Sequence, residues 1–221
     1  MTSVVDQIRQ RAHWDIAIRP EPFTKTRLNL TELTPSIEHA TVRMRGWPLP
    51  FIARGDLLHG PTWVGQDIEP IRVPQMEAWR MFTSGQFTQL RVISAEMDRS
   101  TQGQEVIQVW EVLFYMTEVF ELAARLALSK AGSPSTTIDV HLRGASGRTL
   151  IPGEPGRLLY DDYTATSDDI HYSVTLDRER LVAAPREEAV TATTNVFWQF
   201  GWEITDPRTL TEYQAQLVSG N

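Results

Sequence analysis

Four residues that can take part in acid–base chemistry recur at helical spacing in the middle of the chain: Glu111, Tyr115, Glu118 and Arg125. Their separations of four, three and seven residues place the side chains in one row along a helix. Carboxylates crowded into a cleft of low dielectric acquire raised pKa values and can transfer protons. An enzyme built on this row would use the two glutamates and the tyrosine for catalysis and Arg125 to position an anionic substrate.

The same row has a simpler interpretation as a partly exposed helix face. Glu121 flanks the row and lies four residues before Arg125. An ion pair at that spacing stabilises an exposed helix by only about 0.3–0.5 kcal/mol. The sequence leaves both interpretations open, and the enzymatic one requires a pocket beside the helix.

Arginine and tryptophan residues occur side by side in the first half of the chain, at Arg45 and Trp47 and again at Trp79 and Arg80. Such residues can stack on nucleic-acid bases or clamp phosphates, although arginine often packs at the rim of a partly buried indole instead. Together with Glu121, these four form the predicted set of binding residues. The net charge of −7 disfavours nucleic acid as the partner, because a phosphate backbone requires a basic surface.

Residues that hold metals or cofactors form no recognisable motif in this sequence. There is no cysteine, and the five histidines form no HxH or HExxH pair. Glycine-rich phosphate loops and the GxSxG turn are also missing. His141 and His171 would meet only if the strands predicted to carry them pair. We therefore predict no metal site and no cofactor.

The segment from about 105 to 131 has helical periodicity and contains no glycine or proline, which predicts one long central helix. One of its faces is broadly apolar, whereas Ile107, Phe114 and Leu122 interrupt the polar face. A helix face open to water rarely mixes so many large apolar side chains with its charges. We therefore expect a sheet to cover one side of the helix and loops or a partner molecule to cover the other, with a partner interface preferred.

Shorter segments around this helix alternate apolar and polar residues as half-buried strands do. Segments 77–82 and 86–93 predict one hairpin, and 138–143 with 148–151 predict another. A further strand is expected over 42–47. Because strands and helices do not alternate strictly, we predict an α+β fold, in which a mainly antiparallel sheet with hairpins packs around the central helix.

The length of 221 residues suits a single domain over 1–221, with a division into a β-rich half, 1–103, and a helix-plus-hairpin half, 104–221, as the alternative. The polar region from Asp206 is expected to pack loosely. There is no apolar run of the roughly 18 residues that a membrane helix needs, and the N-terminal region is too polar for a signal peptide. We expect a cytoplasmic protein without membrane contact.

Short strings along nearly the whole chain resemble, in the same order, a region of bacterial proteins of unassigned function. These strings are Trp14…Ile18-Arg19-Pro20, Arg45-Gly46-Trp47, Trp79-Arg80…Ser84-Gly85-Gln86-Phe87, Thr117-Glu118…Phe120-Glu121…Ala123-Ala124-Arg125, Gly147-Arg148…Leu150 and Phe200-Gly201-Trp202. In those proteins the similar region follows an AlbA/Schlafen-like DNA-binding domain, which has no counterpart in this sequence. The resemblance therefore implies an accessory module, a sensor or an interaction partner, and it supplies no catalytic residues.

These observations predict a non-catalytic binding, sensor or scaffold module that acts through protein–protein contacts and self-association, within a bacterial defence or regulatory system. A small enzyme that uses the carboxylate and tyrosine row is the first alternative. A single-stranded nucleic-acid binder that uses the arginine and tryptophan residues is the second.

Overall fold

The computed structural model describes residues 2–70, 75–101, 103–152, 159–204 and 206–219, with side chains described as far as residue 216. The helices are α1 (Val4–Arg9), α2 (Leu30–Ala40), α3 (Ser94–Met97), α4 (Val109–Leu128), α5 (Arg178–Ala183), α6 (Pro185–Trp198) and α7 (Arg208–Ser219). The strands are β1 (His13–Glu21), β2 (Leu58–His59), β3 (Trp63–Ile68), β4 (Glu77–Phe82), β5 (Phe87–Val92), β6 (Val106–Gln108), β7 (Ser135–Arg143), β8 (Thr149–Ile151) and β9 (Asp169–Asp177).

Seven strands form one sheet in the order β2-β3-β4-β5-β1-β7-β9, and all neighbours in it are antiparallel. Strand β1 pairs with β5 on one side and with β7 on the other, so the sheet combines strands that precede and follow the long helix. Alternation along β1 buries Trp14, Ile16 and Ile18 on the core face. The predicted α+β class with a mainly antiparallel sheet and one long helix is confirmed.

The first predicted hairpin is confirmed as β4 and β5. Gly85 has a φ of 85° in its turn, a conformation that glycine adopts without steric cost. The second predicted hairpin is wrong, because β7 pairs with β1 and β9 whereas β8 pairs in parallel with β6. The strand predicted over 42–47 is also wrong: in this segment only Val42 is bridged, to Leu49. Gly46 and the prolines at 48 and 50 interrupt the regular pairing, since proline has no N–H to donate.

Helix α4 begins at Val109, later than predicted, because the preceding residues form β6. On the sheet side, the ring of Tyr115 lies 5.6 Å from the ring of Trp14. Helices α5, α6 and α7 pack against α4 as well. The long helix is therefore covered on more than the sheet side, and helices of the same chain supply this cover in place of the expected partner molecule.

The region after Asp206 does not pack loosely as predicted, because most of it forms α7. Leu210 is buried in the main core. The side-chain amide of Gln214 donates to Thr117 Oγ1 of α4 at 2.9 Å. The prediction was wrong because this segment is polar in composition, although it forms an amphipathic helix whose buried side includes a glutamine.

Helix α1 covers one region of the opposite face of the sheet, where a second, smaller core consists of Val4, Ile8, Met76, Ala78 and Val92. The rest of that face, over β1, β7 and β9, carries polar side chains such as Arg19 and Asp139, which form an ion pair. Within the described ranges, every helix is too short or too polar to cross a membrane.

Candidate functional site

Three members of the predicted catalytic row lie in the protein interior: Glu111, Tyr115 and Glu118 are each at most 3% exposed. The fourth member, Arg125, is exposed. Glu118 is held by Arg45, whose Nε donates to Oε1 at 3.1 Å and whose Nη2 donates to Oε2 at 2.5 Å. A guanidinium that binds both oxygens of a carboxylate in this way forms a strong and directional contact. Both residues were predicted as functional, but the sequence did not indicate that they bind each other.

Tyr115 begins a chain of buried hydrogen bonds that runs from α4 to β5 and then to β4. Its hydroxyl donates to Gln89 Oε1 at 2.9 Å, and Gln89 Nε2 donates to Glu77 Oε2 at 3.1 Å. The other oxygen of Glu77 accepts from the backbone N–H of Phe51 at 3.3 Å. Buried polar groups require such partners, so this chain fixes the segment at Phe51 relative to α4.

Burial controls the protonation of this network. It raises the pKa of Glu77, although the positive charge of Arg91 and the Phe51 N–H oppose the rise. It also raises the pKa of Tyr115, whose ring centre lies 5.1 Å from the Arg91 guanidinium carbon. Tyr115 therefore remains a neutral hydrogen-bond donor at physiological pH.

Burial alone would lower the pKa of Arg45, but the hydrogen bonds and the charge of Glu118 outweigh that effect and the pKa is raised. Arg45 therefore remains protonated at physiological pH. Because both oxygens of Glu118 accept hydrogen bonds from Arg45, this carboxylate is not available to abstract a proton from a substrate.

The two ends of the row also anchor other segments. Glu111 Oε1 accepts from the backbone N–H of Ser94 at 2.7 Å, while its Oε2 is buried with no hydrogen-bond partner among the described residues. Arg125 Nη1 donates to the carbonyl oxygen of Thr41 at 2.5 Å. Glu121 accepts from Arg186 at 2.8 Å. The pairing considered between Glu121 and Arg125 is therefore replaced by contacts with α6 and with the end of α2.

An open cleft of about 640 Å³ lies over Arg45, between the end of α2 and the loop that follows it. We call it the arginine cleft. The residues that line it are Glu38, Thr41, Arg43, Met44, Arg45, Gly46, Pro48, Pro50, Phe51, Ile52 and Arg54. Its volume is within the range of ligand-binding pockets, and its lining combines apolar side chains with charged groups.

The three arginines of the cleft have different surroundings. Arg43 is exposed and makes no hydrogen bond or ion pair with the residues that the structure describes. Arg45 is 19% exposed and uses Nε and Nη2 for Glu118, which leaves Nη1 for a ligand. Arg54 binds both oxygens of Glu38, at 2.6 and 2.7 Å. Positive charge therefore predominates in this cleft, although the whole chain carries −7.

The other predicted binding residues are engaged within the protein. Trp47 stacks on Phe51 with ring centres 4.3 Å apart. Trp79 is fully buried, and its indole N–H donates to the Phe51 carbonyl at 2.9 Å. The guanidinium of Arg80 lies 4.6 Å from the ring centre of Trp63 and also pairs with Asp67. These residues support the wall of the cleft or the neighbouring strands, and they do not converge on one surface that could bind bases.

The set of site residues predicted from the sequence did not include the cleft residues Glu38, Arg43 and Arg54, or the buried residues Glu77 and Gln89. A usable signal was the spacing of Arg43 and Arg45 in a segment interrupted by glycine and proline, which predicts a loop that presents both side chains. For Glu77 the available signal was a glutamate on the same side of β4 as Trp79 and Met81, a position at which strand alternation predicts an apolar residue.

His141 and His171 do meet, as neighbours directly opposite each other on β7 and β9. Their rings are stacked with centres 4.1 Å apart, and His141 Nδ1 lies 3.0 Å from Asp169 Oδ1. In the portion of the chain that the structure describes, no group of three or more histidine, aspartate or glutamate side chains is arranged to hold a metal ion.

Comparison of the chain with protein-family models, with curated proteins and with solved structures gave no match.

Proposed function

We propose that this protein is a non-catalytic binding module, and that the arginine cleft receives an acidic segment of a protein partner. The observation that carries the proposal is the unpaired Arg43 beside the fixed Arg45 at the mouth of a cleft, in a protein that is acidic as a whole. The resemblance to regions that follow AlbA/Schlafen-like domains supports an accessory role of this kind.

The contacts of the central row do not support an enzyme. Glu118 is occupied by Arg45, and the Tyr115 hydroxyl is occupied by Gln89. None of Glu111, Tyr115 and Glu118 lines the arginine cleft. A catalytic acid or base must come within hydrogen-bond reach of the substrate, and in this arrangement Arg45 lies between the cleft and Glu118.

Carboxylates suit the cleft better than a nucleic-acid backbone does. The planar guanidinium group matches a carboxylate with two parallel hydrogen bonds, and the free edge of Arg45 is held in place by its bonds to Glu118. A nucleic acid would require many phosphate contacts along an extended basic surface. The cleft itself offers three arginines, and two of them already pair with Glu118 and Glu38.

The decisive experiment measures binding of a fluorescently labelled peptide of alternating glutamate and aspartate by anisotropy. We expect the wild-type protein to bind the peptide, with an affinity that falls as salt is added. Arg43→Ala removes a charged hydrogen-bonding group and is expected to weaken binding about tenfold or more. Arg99→Ala is the matched control, because Arg99 is exposed, lies outside the cleft and carries the same charge.

Two results would contradict the proposal. If Arg43→Ala and Arg99→Ala weaken peptide binding equally, the effect comes from net charge and not from the cleft. If inorganic pyrophosphate binds by calorimetry while the peptide does not, the cleft serves a small anion and the role in protein contacts is wrong.

A further inference from the structure

Strand β9 forms one edge of the seven-stranded sheet, and its only neighbour among the described strands is β7. It is nine residues long, whereas β2 at the opposite edge has two residues. A long open edge offers a row of unpaired backbone groups to which another strand can bind.

The contacts at both ends of β9 show which backbone groups point away from β7. The N–H of Arg178, directly after the strand, donates to the Pro134 carbonyl. The backbone N–H and C=O groups of the even-numbered residues of β9 therefore point toward β7. The carbonyl of His171 instead accepts from the side chain of Gln199 at 3.2 Å, on the far side. Because the N–H and C=O of one residue point the same way in an antiparallel strand, Ser173 and Thr175 also present theirs outward. Neither has a backbone partner on that side among the described residues.

The side chains of β9 do not block pairing. Between Ile170 and Leu176 there is no proline and no Lys, Arg, Asp or Glu, which are the residues that commonly protect an edge. The register with β7 is unbroken over all nine residues, so no bulge turns the edge away. At the end of α6, Trp198 is 61% exposed and directly precedes Gln199, whose side chain reaches this edge. Exposed tryptophan beside a binding edge is a frequent anchor of protein interfaces.

We propose that β9 pairs with β9 of a second copy of this chain, antiparallel and across a twofold axis, so that the two sheets join into one. The outward backbone N–H and C=O groups of one β9 must lie opposite those of the other. This leaves two registers near the middle of the strand, which differ in the residue at the twofold axis. An axis at Ser173 would place Asp169 opposite Asp177 of the partner subunit, and like charges would repel. An axis at Val174 places His171 opposite Asp177 of the partner subunit and Ser173 opposite Thr175 of the partner subunit. The axis at Val174 avoids the repulsion between Asp169 and Asp177 and is therefore the register that we select.

Sedimentation equilibrium of the full chain tests this pairing. The wild-type protein is expected to have about twice the monomer mass of 25.1 kDa. Thr175→Pro removes an outward N–H and the side-chain hydrogen bond to Thr137 of β7, but no backbone bond to β7, so the fold is retained and the dimer is lost. Thr175→Lys provides a second variant in case the proline disturbs the strand. Thr191→Lys is the matched control, because Thr191 is exposed on α6 and the change of charge is the same.

The register has its own test. His171→Asp places like charges opposite each other and is expected to weaken the dimer, whereas His171→Lys is expected to strengthen it. Far-ultraviolet circular dichroism checks that each variant is folded. A wild-type protein that is monomeric at every concentration would overturn the proposal, and so would a dimer that persists in both folded Thr175 variants. Equal effects of the two His171 variants would overturn the axis at Val174.

Discussion

We expect replacement of Arg45 by methionine to destabilise the protein more than replacement of Glu118 by glutamine, although both changes break the same ion pair. Arg45→Met leaves the carboxylate of Glu118, which is 0% exposed, without a counter-charge. Leaving an unpaired buried charge costs about 3–5 kcal/mol. Glu118→Gln instead leaves Arg45, which is 19% exposed and can be hydrated from the cleft. The amide oxygen still accepts one hydrogen bond, so the expected cost is about 1–3 kcal/mol.

Urea unfolding followed by tryptophan fluorescence and by circular dichroism measures the difference between the two variants. The double variant is expected to cost less than the sum of the single changes, because neither charge is then left without its partner. Arg54→Met is the matched control: it breaks an equally well-aligned pair with Glu38, but at 78% exposure of the arginine, and its effect on stability is expected to be small.

The reasoning rests on the unequal burial of the two partners, so the order of the two costs is the decisive result. If Glu118→Gln costs as much as Arg45→Met, burial does not determine the energetics of this pair. If Arg45→Met costs no more than Arg54→Met, the contact with Glu118 contributes no more than a surface ion pair.

Three further predictions concern the stability of the fold. Tyr115→Phe is expected to lower the free energy of unfolding by about 1–3 kcal/mol, because Gln89 Oε1 loses its donor in the interior, and an unchanged urea midpoint would contradict this. The pKa of Glu77 is raised, so its contribution to stability is fully present below its ordinary value of 4.5 and is lost as pH rises through the raised value. The unfolding free energy of Glu77→Gln relative to wild type is therefore expected to increase with pH in that window, and a constant difference would refute the assignment. Gly85→Ala is expected to cost about 1–3 kcal/mol from its positive φ alone, with a further clash against the Ala131 carbonyl oxygen, and thermal unfolding would detect it.

The fold class and most elements were predictable because the responsible patterns are local. Alternation in β1, β4, β5 and β9 and the unbroken helical period of α4 each specify one element. The partners of those elements were not predictable in the same way. The segment 148–151 follows β7 across a turn and has the pattern of a returning strand, yet it pairs with β6. Spacing along the chain does not show which of several open edges a short strand will join.

In the candidate site, too, local features were predictable from the sequence and contacts between distant segments were not. The row Glu111, Tyr115 and Glu118 was correctly placed on one side of a helix, because helical spacing is a local property. Its contacts were not foreseeable, because Arg45 lies 73 residues before Glu118 and reaches it from an irregular loop. Loops have no period from which the direction of a side chain can be derived. The cleft therefore became visible only once the loop and the helix were placed together.

Strand β1 also constrains the order in which the protein can be made and folded. Ile18 of β1 pairs with Ile138 of β7, which is synthesised 120 residues later, so this pairing cannot form earlier. Until β7 has emerged from the ribosome, β1 has only β5 beside it, and the side that β7 will occupy is an unpaired edge made of an alternating apolar strand. Contacts that close so long a segment form late, because the chain entropy of closure is lost before the contact is gained. The nascent chain thus has a temporary open edge in the middle of its future sheet between the synthesis of β5 and that of β7. Association with other nascent copies is the greatest hazard during this period.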